Sequence, residues 1–424
     1  MKSKNKAFLL LLLALSLLAS CSSTSYMLDA KTLRSDLDVG QALTQAGLTE
    51  VTISYPEVYY DGVDWYAALV ETLEKAQSYI ILETFLGSEC DQNQKVFDIL
   101  ARKASEGVKV YFVNDGVGFF DMTESKEYLR PFYYLEDVGV KILTVNPVSG
   151  NRLIGLTHML YRDHRKMVVV DGLYVALGGM NLNYVSMNAH ENGGQRDSMY
   201  LFKSPSLAER LMKDFVDFWN DHDWRLVSEA DFPPWQISCP EASITAYLAN
   251  QYGKSRTIIA KAYGILLSHA QKKVEFLPYL PYMDNSMVKA IANAAQNAEV
   301  KILVPFDSRR APRVAAQYAF LDLMETGATV YRENANDNSN GLLHEKLMIV
   351  DGQYSVVGSM NYNFRSMTLS DEIALIIDSK DLASQLGDHF DSLLEDGRPL
   401  TAEEAQSYKT LEGALRFAMV IIGG

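Results

Sequence analysis

The 424-residue chain has few cations for its size: 39 Lys and Arg stand against 53 Asp and Glu, a formal charge of −14. Nonspecific capture of nucleic acid depends on clustered cations that neutralise phosphates, so this balance argues against it while leaving a local basic cleft open. Long apolar runs are missing too. Residues 7–19 and the C-terminal Phe417-Ala-Met-Val-Ile-Ile422 fall short of the ~20 residues that cross a bilayer. Cysteine is scarce, with only Cys21, Cys90 and Cys239. The last two fall in different halves, and spacing alone cannot place them within disulfide reach, so two buried thiols are the first expectation. What remains is ordinary: 48% hydrophobic and 11% aromatic residues exclude a disordered chain and give enough material for two cores.

The first residues stand apart. Lys2, Lys4 and Lys6 precede the apolar run, the pattern of a secretory signal, and residues 1–20 are left out of the fold. Without these three lysines the charge falls from −14 to −17. The run ends in Leu18-Ala-Ser-Cys21 followed by Ser22-Ser-Thr-Ser25, which resembles the lipobox of bacterial lipoproteins. That resemblance implies a lipidated Cys21 as the new N-terminus. It also implies a membrane-anchored protein of the bacterial cell envelope, on its periplasmic or extracytoplasmic side, in an oxidising compartment. Ser22 rather than Asp after the cysteine leans towards the outer membrane where the cell has one. The plainer alternative is a cleaved signal with an incidental cysteine.

Residues 21–55 read as a polar tether. From Asp61 the pattern turns regular: Trp65, Leu69, Leu73 and Ala76 have helical spacing, the run 79–85 reads as a strand, and helices over 96–104 and 126–136 alternate with strands over 108–113 and 140–145. The same order recurs with a helix over 258–270, a strand over 274–277, a helix over 286–295, a strand over 300–304, a helix over 315–324 and a strand over 328–331. Helices over 206–219 and 382–394 close the two units. Phe232-Pro-Pro-Trp235 breaks regular structure between them. These signals predict an α/β protein with a first lobe at 56–235, a linker at 236–255, a second lobe at 256–400 and a tail at 401–424.

An internal duplication organises the rest. His164-Arg-Lys-Met-Val-Val-Val-Asp171-Gly runs on to Gly178-Gly-Met-Asn181, and His344-Glu-Lys-Leu-Met-Ile-Val-Asp351-Gly runs on to Gly358-Ser-Met-Asn361, an offset of 180 residues. Two large copies predict two similar lobes about a pseudo-twofold axis, with both motifs meeting at one cleft. Positions i and i+2 of a strand share a face, so His164 projects with Lys166 and His344 with Lys346, while Arg165 and Glu345 point away. Two imidazoles, two ammonium groups and the amides of Asn181 and Asn361 suit a phosphodiester. Lys and Asn would donate to non-bridging oxygens, with Ser359 beside them as a further candidate for substrate. One imidazole would attack phosphorus while the other protonates the leaving alkoxide. Asp171 and Asp351, at strand ends before Gly, are the third member of each motif and are counted with the catalytic set, in a supporting role that a turn carboxylate can fill.

The two intact His-x-Lys-x4-Asp motifs resemble the signature of the phospholipase D superfamily, and Gly178-Gly-Met-Asn181, Gly358-Ser-Met-Asn361, Phe364-Arg-Ser366 and Leu277-Pro-Tyr-Leu-Pro281 bring the likeness nearest to bacterial cardiolipin synthases. The resemblance implies two α-β-α sandwich lobes with the active site between them. It further implies a two-step reaction through a phosphohistidine that needs no metal or other cofactor, with His164 as nucleophile and His344 as acid and base. Family members use an acidic residue to orient the opposite imidazole. The matches are Asp197 for His344 and Glu372 for His164, with Asp371 a near rival. The Trp that cardiolipin synthases often carry before that Asp is replaced by Gly194-Gln195.

Both half-sites lie in one chain, so no oligomer is required, and the expected partners are a phospholipid and, through the anchor, a membrane, with no nucleic acid. The resulting expectation is a phosphatidyltransferase that forms cardiolipin from phosphatidylglycerol. Hydrolysis to phosphatidic acid is the nearest alternative, followed by a nuclease and by an inert lipid-binding lipoprotein. His222 in Trp219-Asn-Asp-His-Asp-Trp224 reads as a helix end rather than a metal ligand. His158 and His190 are candidates for the pocket wall or for surface loops, and the apolar tail is expected to pack on a lobe, the alternative being that it dips into lipid near the active site.

Overall fold

A computed structural model describes residues 37–88, 90–116, 130–146, 161–253, 256–334 and 341–423. Cys21 and His158 lie outside them. The described residues form two twisted sheets. The first has seven strands, in the spatial order Glu57–Tyr59, Met199–Lys203, Tyr174–Gly178, Met167–Val170, Tyr79–Thr84, Lys109–Asp115 and Lys141–Val145. The second has nine, in the order Thr49–Ile53, Ile244–Gln251, Glu372–Asp378, Tyr354–Gly358, Leu347–Val350, Lys273–Leu277, Glu299–Val304, Thr329–Glu333 and Gly397–Pro399. Six strands of each share one order and one set of directions, with two parallel and three antiparallel pairings. The duplicated sequence has produced a duplicated mixed α/β layer, as expected from its alternating pattern.

Each motif strand is central in its sheet. Met167–Val170 and Leu347–Val350 are buried at every residue, as unbroken apolar runs are when both faces of a sheet are covered. Asp171-Gly172 and Asp351-Gly352 turn each strand into the next with all four φ values positive (52°, 72°, 56° and 64°), the backbone that an Asp-Gly hairpin turn requires. The closing helices Pro205–His222 and Lys380–Glu395 start alike, with Ser204 and Ser379 capping Leu207 N and Leu382 N. Both helices sit in one core between the sheets, where Leu207, Leu211, Phe215, Leu382, Leu386 and Phe390 meet Val169, Leu177, Ile349 and Leu375. The lobes are therefore fused by shared apolar packing, which fixes the relative position of the two motifs.

Three boundaries differ from the sequence reading. Residues 39–53 are no tether: the helix Val39–Gln45, capped by Asp38, and the strand Thr49–Ile53 belong to the second sheet's side of the molecule. Ile244–Gln251, assigned to the linker, is an inner strand of that same sheet. The helix expected over 315–324 is two, Arg310–Tyr318 and Phe320–Glu325. The tail forms the helices Ala402–Ser407 and Leu411–Gly423, with Phe417 and Val420 packed on the second lobe's outer core. Cys90 and Cys239 form no disulfide.

Candidate active site

The chain enters each motif strand by crossing to the other lobe. Asp163 bridges Asp371 and Leu343 bridges Arg196 in the parallel sense. Through these bridges His164 N donates to the Asp371 carbonyl at 2.9 Å and His344 N donates to the Arg196 carbonyl at 2.7 Å. These reciprocal backbone bonds set His164 and His344 on one cavity of about 870 Å³, with Asn181, Asn361, Glu372, Arg162 and Arg365 also in its wall. Residues between the motif positions point away. Arg165 is buried in ion pairs with Glu83 (2.7 Å) and Asp163 (2.8 Å), over the ring of Phe218. Glu345 accepts from His389 Nε2 at 2.8 Å, beneath Tyr60.

The imidazoles are oriented crosswise. His164 Nδ1 lies 3.0 Å from Glu372 Oε2, and His344 Nδ1 lies 2.5 Å from Asp197 Oδ2. An ionised carboxylate accepts only, so each contact places a proton on Nδ1 and leaves the Nε2 lone pair for the cavity. Burial would raise both carboxyls, yet the facing cations and hydrogen bonds outweigh it and hold Asp197 and Glu372 below their ordinary range. Burial pushes the imidazoles the other way, His164 to about 4 and His344 to about 3, the latter aided by the Lys346 charge. Both are neutral at physiological pH.

The lysines lie beneath. Lys166 Nζ donates to the His164 carbonyl at 2.5 Å and sits 5.1 Å from the Phe85 ring. Lys346 Nζ lies 2.7 Å from Nδ1 and 3.1 Å from Nε2 of His344, 3.8 Å from Asp197, and 4.9 Å from the Tyr279 ring. Burial lowers Lys166 to about 7 and Lys346 to about 8. Asn361 Oδ1 is buried without a partner, whereas Asn181 Oδ1 accepts from Leu86 N at 3.2 Å.

Three expected site residues sit elsewhere. Asp171 and Asp351 end the strands away from the cavity. Asp171 accepts from the backbone N–H of Gln77, Ser78 and Tyr79 (2.7–2.8 Å), and Asp351 from those of Gln271, Lys272 and Lys273. They clamp the start of the strand that pairs with each motif strand and lie outside the cavity wall, so they keep the supporting role expected of them and leave the catalytic set. Ser359 is fully buried behind Glu372, donating to Oε2 at 2.5 Å and accepting from Ile373 N, so it braces that carboxylate instead of reaching substrate. Its counterpart, Gly179, is glycine because a Cβ there would lie 2.1 Å from Asp197 Oδ1. His222 Nδ1 is satisfied by the Phe218 carbonyl at 2.8 Å, and His190 Nδ1 by Asp61 at 2.7 Å.

The sequence reading also missed residues. Phe85 and Tyr279 set their rings edge-on to His164 and His344 with centroids 4.8 and 4.3 Å apart. Each follows the strand that pairs with the motif strand, and aligning those strands between the two copies would have matched them. Arg162, held by Asp115 at 2.9 Å, and Arg365, lowered by burial and the Arg162 charge to about 10, add cations to the wall.

Comparison with known proteins agrees with this architecture. Residues 69–219 and 264–394 match the family described as cardiolipin synthase, PLD-like domain. The cardiolipin synthase of Alkalihalophilus pseudofirmus is 29% identical over 76% of this chain and 62% of its own length. That of a Geobacillus species is 27% identical over 82% of this chain and 68% of its own. The chain thus spans about two thirds of the length of these relatives. The phosphatidylserine synthase of Haemophilus influenzae shares the fold with a TM-score of 0.67 at 17% identity, covering 91% of this chain and 98% of that one. The polyphosphate kinase of Porphyromonas gingivalis does so with a TM-score of 0.53 at 14% identity, covering 85% and 53%.

Proposed function

The chain belongs to the family of cardiolipin synthase, PLD-like domains, and from that premise we propose that it transfers a phosphatidyl group from one phospholipid to an alcohol, forming cardiolipin from phosphatidylglycerol. The observation that carries this reading is the pair of neutral imidazoles in one cavity, each tied through Nδ1 to a carboxylate contributed by the opposite lobe.

In the first step the His164 Nε2 lone pair attacks phosphorus and the bond to the glycerol oxygen breaks. His344, which takes up a proton at Nε2 as the phosphodiester anion binds, gives that proton to the leaving oxygen, so a neutral alcohol leaves and a phosphatidyl-histidine remains. In the second step neutral His344 takes the proton of the incoming hydroxyl as its oxygen attacks phosphorus, and the P–N bond breaks to return His164. Lys166 and Lys346, buried beneath the two rings and outside the cavity wall, stabilise through their charge the anion that builds in the five-coordinate state. Asn181 and Asn361 offer amide hydrogens to the same oxygens. Glu372 and Asp197 hold each ring in the tautomer that leaves Nε2 reactive, and Glu372 also offsets the cation that forms on His164 during attack.

The cavity's size leaves room for water as the acceptor, which supports release of phosphatidic acid as the second reading. The Leu18-Ala-Ser-Cys21 sequence supports anchoring through a lipidated Cys21 in the bacterial envelope, at the surface that holds the substrate. The test incubates the protein with labelled phosphatidylglycerol, phosphatidylethanolamine and a DNA duplex, beside His164→Ala and His344→Ala. Cardiolipin from phosphatidylglycerol, lost in both variants, is the expected result. Unchanged turnover in either variant overturns the mechanism, and phosphatidic acid alone replaces the transferase with the hydrolase.

A further inference from the structure

The C-terminal helix Leu411–Gly423 is apolar on both sides, yet among the described residues only one side is covered. Phe417 packs against Tyr282 and Tyr318 with centroids 6.4 and 5.6 Å away, and Val420 joins the same core. The other side exposes Leu411 (78%), Leu415 (39%) and Met419 (55%), residues at i, i+4 and i+8 that form one stripe. A helix apolar all round is ordinarily enclosed. Its two charged side chains, Glu412 and Arg416, pair with each other at 2.9 Å and leave the stripe uninterrupted.

The helix that carries the stripe packs against elements that reach the active-site cavity, among them Phe364–Thr368, whose Arg365 and Ser366 line it. The helix lies along Arg310–Tyr318, Arg310 reaches Glu412 at 3.0 Å, and the preceding residue, Arg309, lines the cavity with Leu280, Asp307 and Ser308. The charge here is opposite to that of the whole chain. The segment from Asp307 to Arg313 and the helix together carry Arg309, Arg310, Arg313 and Arg416 against Asp307 and Glu412, in a protein of net charge −14. Arg313 donates to the carbonyls of Asp307 and Ser308, so no carboxylate offsets it there. Trp224 and Leu226 are exposed as well. Their neighbour Arg225 binds the Ile142 carbonyl at the far end of the strand that leads towards the cavity, so they do not border the mouth.

The geometry points to the Leu411, Leu415 and Met419 face as a docking surface for an anionic phospholipid bilayer, seating the cavity mouth on the lipid surface; this rests on the phospholipid reading of the site. An amphipathic helix lying in the interface buries such a stripe among acyl chains while flanking cations meet lipid phosphates. The surface is separate from the anchor proposed at Cys21 and acts on orientation, not tethering.

The test uses the full chain with Cys21→Ser, so that no acyl anchor holds it to lipid. Hydrogen exchange of residues 411–423 is followed with phosphatidylglycerol vesicles, with phosphatidylcholine vesicles and without lipid. Turnover of phosphatidylglycerol is compared in vesicles and in detergent mixed micelles for this protein and for Leu411→Ser/Leu415→Ser/Met419→Ser. Expected are slowed exchange with phosphatidylglycerol vesicles only, and at least an about tenfold loss of vesicle turnover in the triple variant with micelle turnover kept within about twofold. Exchange that vesicles leave unchanged, or equal losses in both assays, overturns the docking surface. Protection that appears without lipid as protein concentration rises assigns the face to a second copy and overturns it too. Absence of turnover even in micelles would instead overturn the catalytic reading, while the exchange arm still decides the docking surface.

Discussion

Replacing Asp197 by Asn tests the crossed arrangement with almost no change in shape. Asp197 Oδ1 accepts the Ser198 N–H at 2.8 Å and Oδ2 faces His344 Nδ1 at 2.5 Å. The side chain lies against Gly179, where an added Cβ would come 2.1 Å from Oδ1, and the Ser198 N–H, a donor only, selects an oxygen for that position. An amide in that slot keeps its oxygen on Ser198 and is forced to present its NH2 group to Nδ1. The ring must then accept at Nδ1 and carry its proton on Nε2, the tautomer that cannot take a proton from the acceptor hydroxyl. Lys346 also loses the anion 3.8 Å away. Swapping the carboxylate behind a catalytic imidazole for an amide costs roughly 10³–10⁴-fold in kcat, about 4–5.5 kcal/mol of transition-state stabilisation. Hydrogen-bond count and packing are conserved, so folding stability should change by less than about 1 kcal/mol. The assay is conversion of fluorescent phosphatidylglycerol in mixed micelles, alongside a thermal melt. A loss smaller than about tenfold with an unchanged melt would refute the idea that Asp197 sets the His344 tautomer.

Other consequences can be checked alongside. Glu372→Gln should slow the first step by a similar order, because Glu372 orients His164 and offsets its developing charge; rapid-quench kinetics should show slower adduct formation. Asp171→Ala removes the acceptor for three backbone N–H groups at a residue with φ 52° and should cost about 3 kcal/mol in denaturant unfolding while specific activity of the folded fraction persists. Loss of activity without loss of stability would return Asp171 to the chemistry. Gly179→Ser should displace the Asp197 carboxylate and lower kcat more than Ser359→Gly does, which removes a brace but adds no clash. Because burial lowers Lys166 to about 7 and Lys346 to about 8, both are partly neutral at about pH 8, and a bound phosphodiester anion raises them. Calorimetry of a short-chain phosphodiester analogue in buffers of different ionisation enthalpy should show proton uptake that is larger at about pH 8 than at about pH 6, where both lysines are already charged and only the proton taken up by His344 remains; equal uptake at the two pH values would contradict the buried-ammonium account.

The chemistry was legible because it is written locally and twice. Strand periodicity placed His164 with Lys166 and turned Arg165 away, and the 180-residue offset implied one shared cleft. The parts that were not legible depend on pairing across the chain. Thr49–Ile53 is short and half exposed, with its apolar side covered only because Ile244–Gln251 arrives beside it from beyond the Pro-Pro break. Nothing near residue 50 announces that partner. Ser359 looked like a cavity residue because it lies two positions before Asn361, yet its hydroxyl turns back to Glu372. Asp171 and Asp351 belong to the signature by spacing, and only the folded chain shows that the three amides they bind come from the start of the strand that pairs with the motif strand. Phe85 and Tyr279 were hidden by different identities at equivalent positions.

The central claim is tested most directly by trapping the intermediate. Labelled phosphatidylglycerol is mixed with the protein, quenched at alkaline pH to preserve phosphoramidate, and digested for peptide mass analysis. The predicted result is a phosphatidyl or phosphoryl adduct on the peptide containing His164, formed within one turnover and absent in His164→Ala. An adduct on the peptide containing His344, or product formed in single turnover with no adduct on either peptide, would contradict the assignment of His164 as the nucleophile.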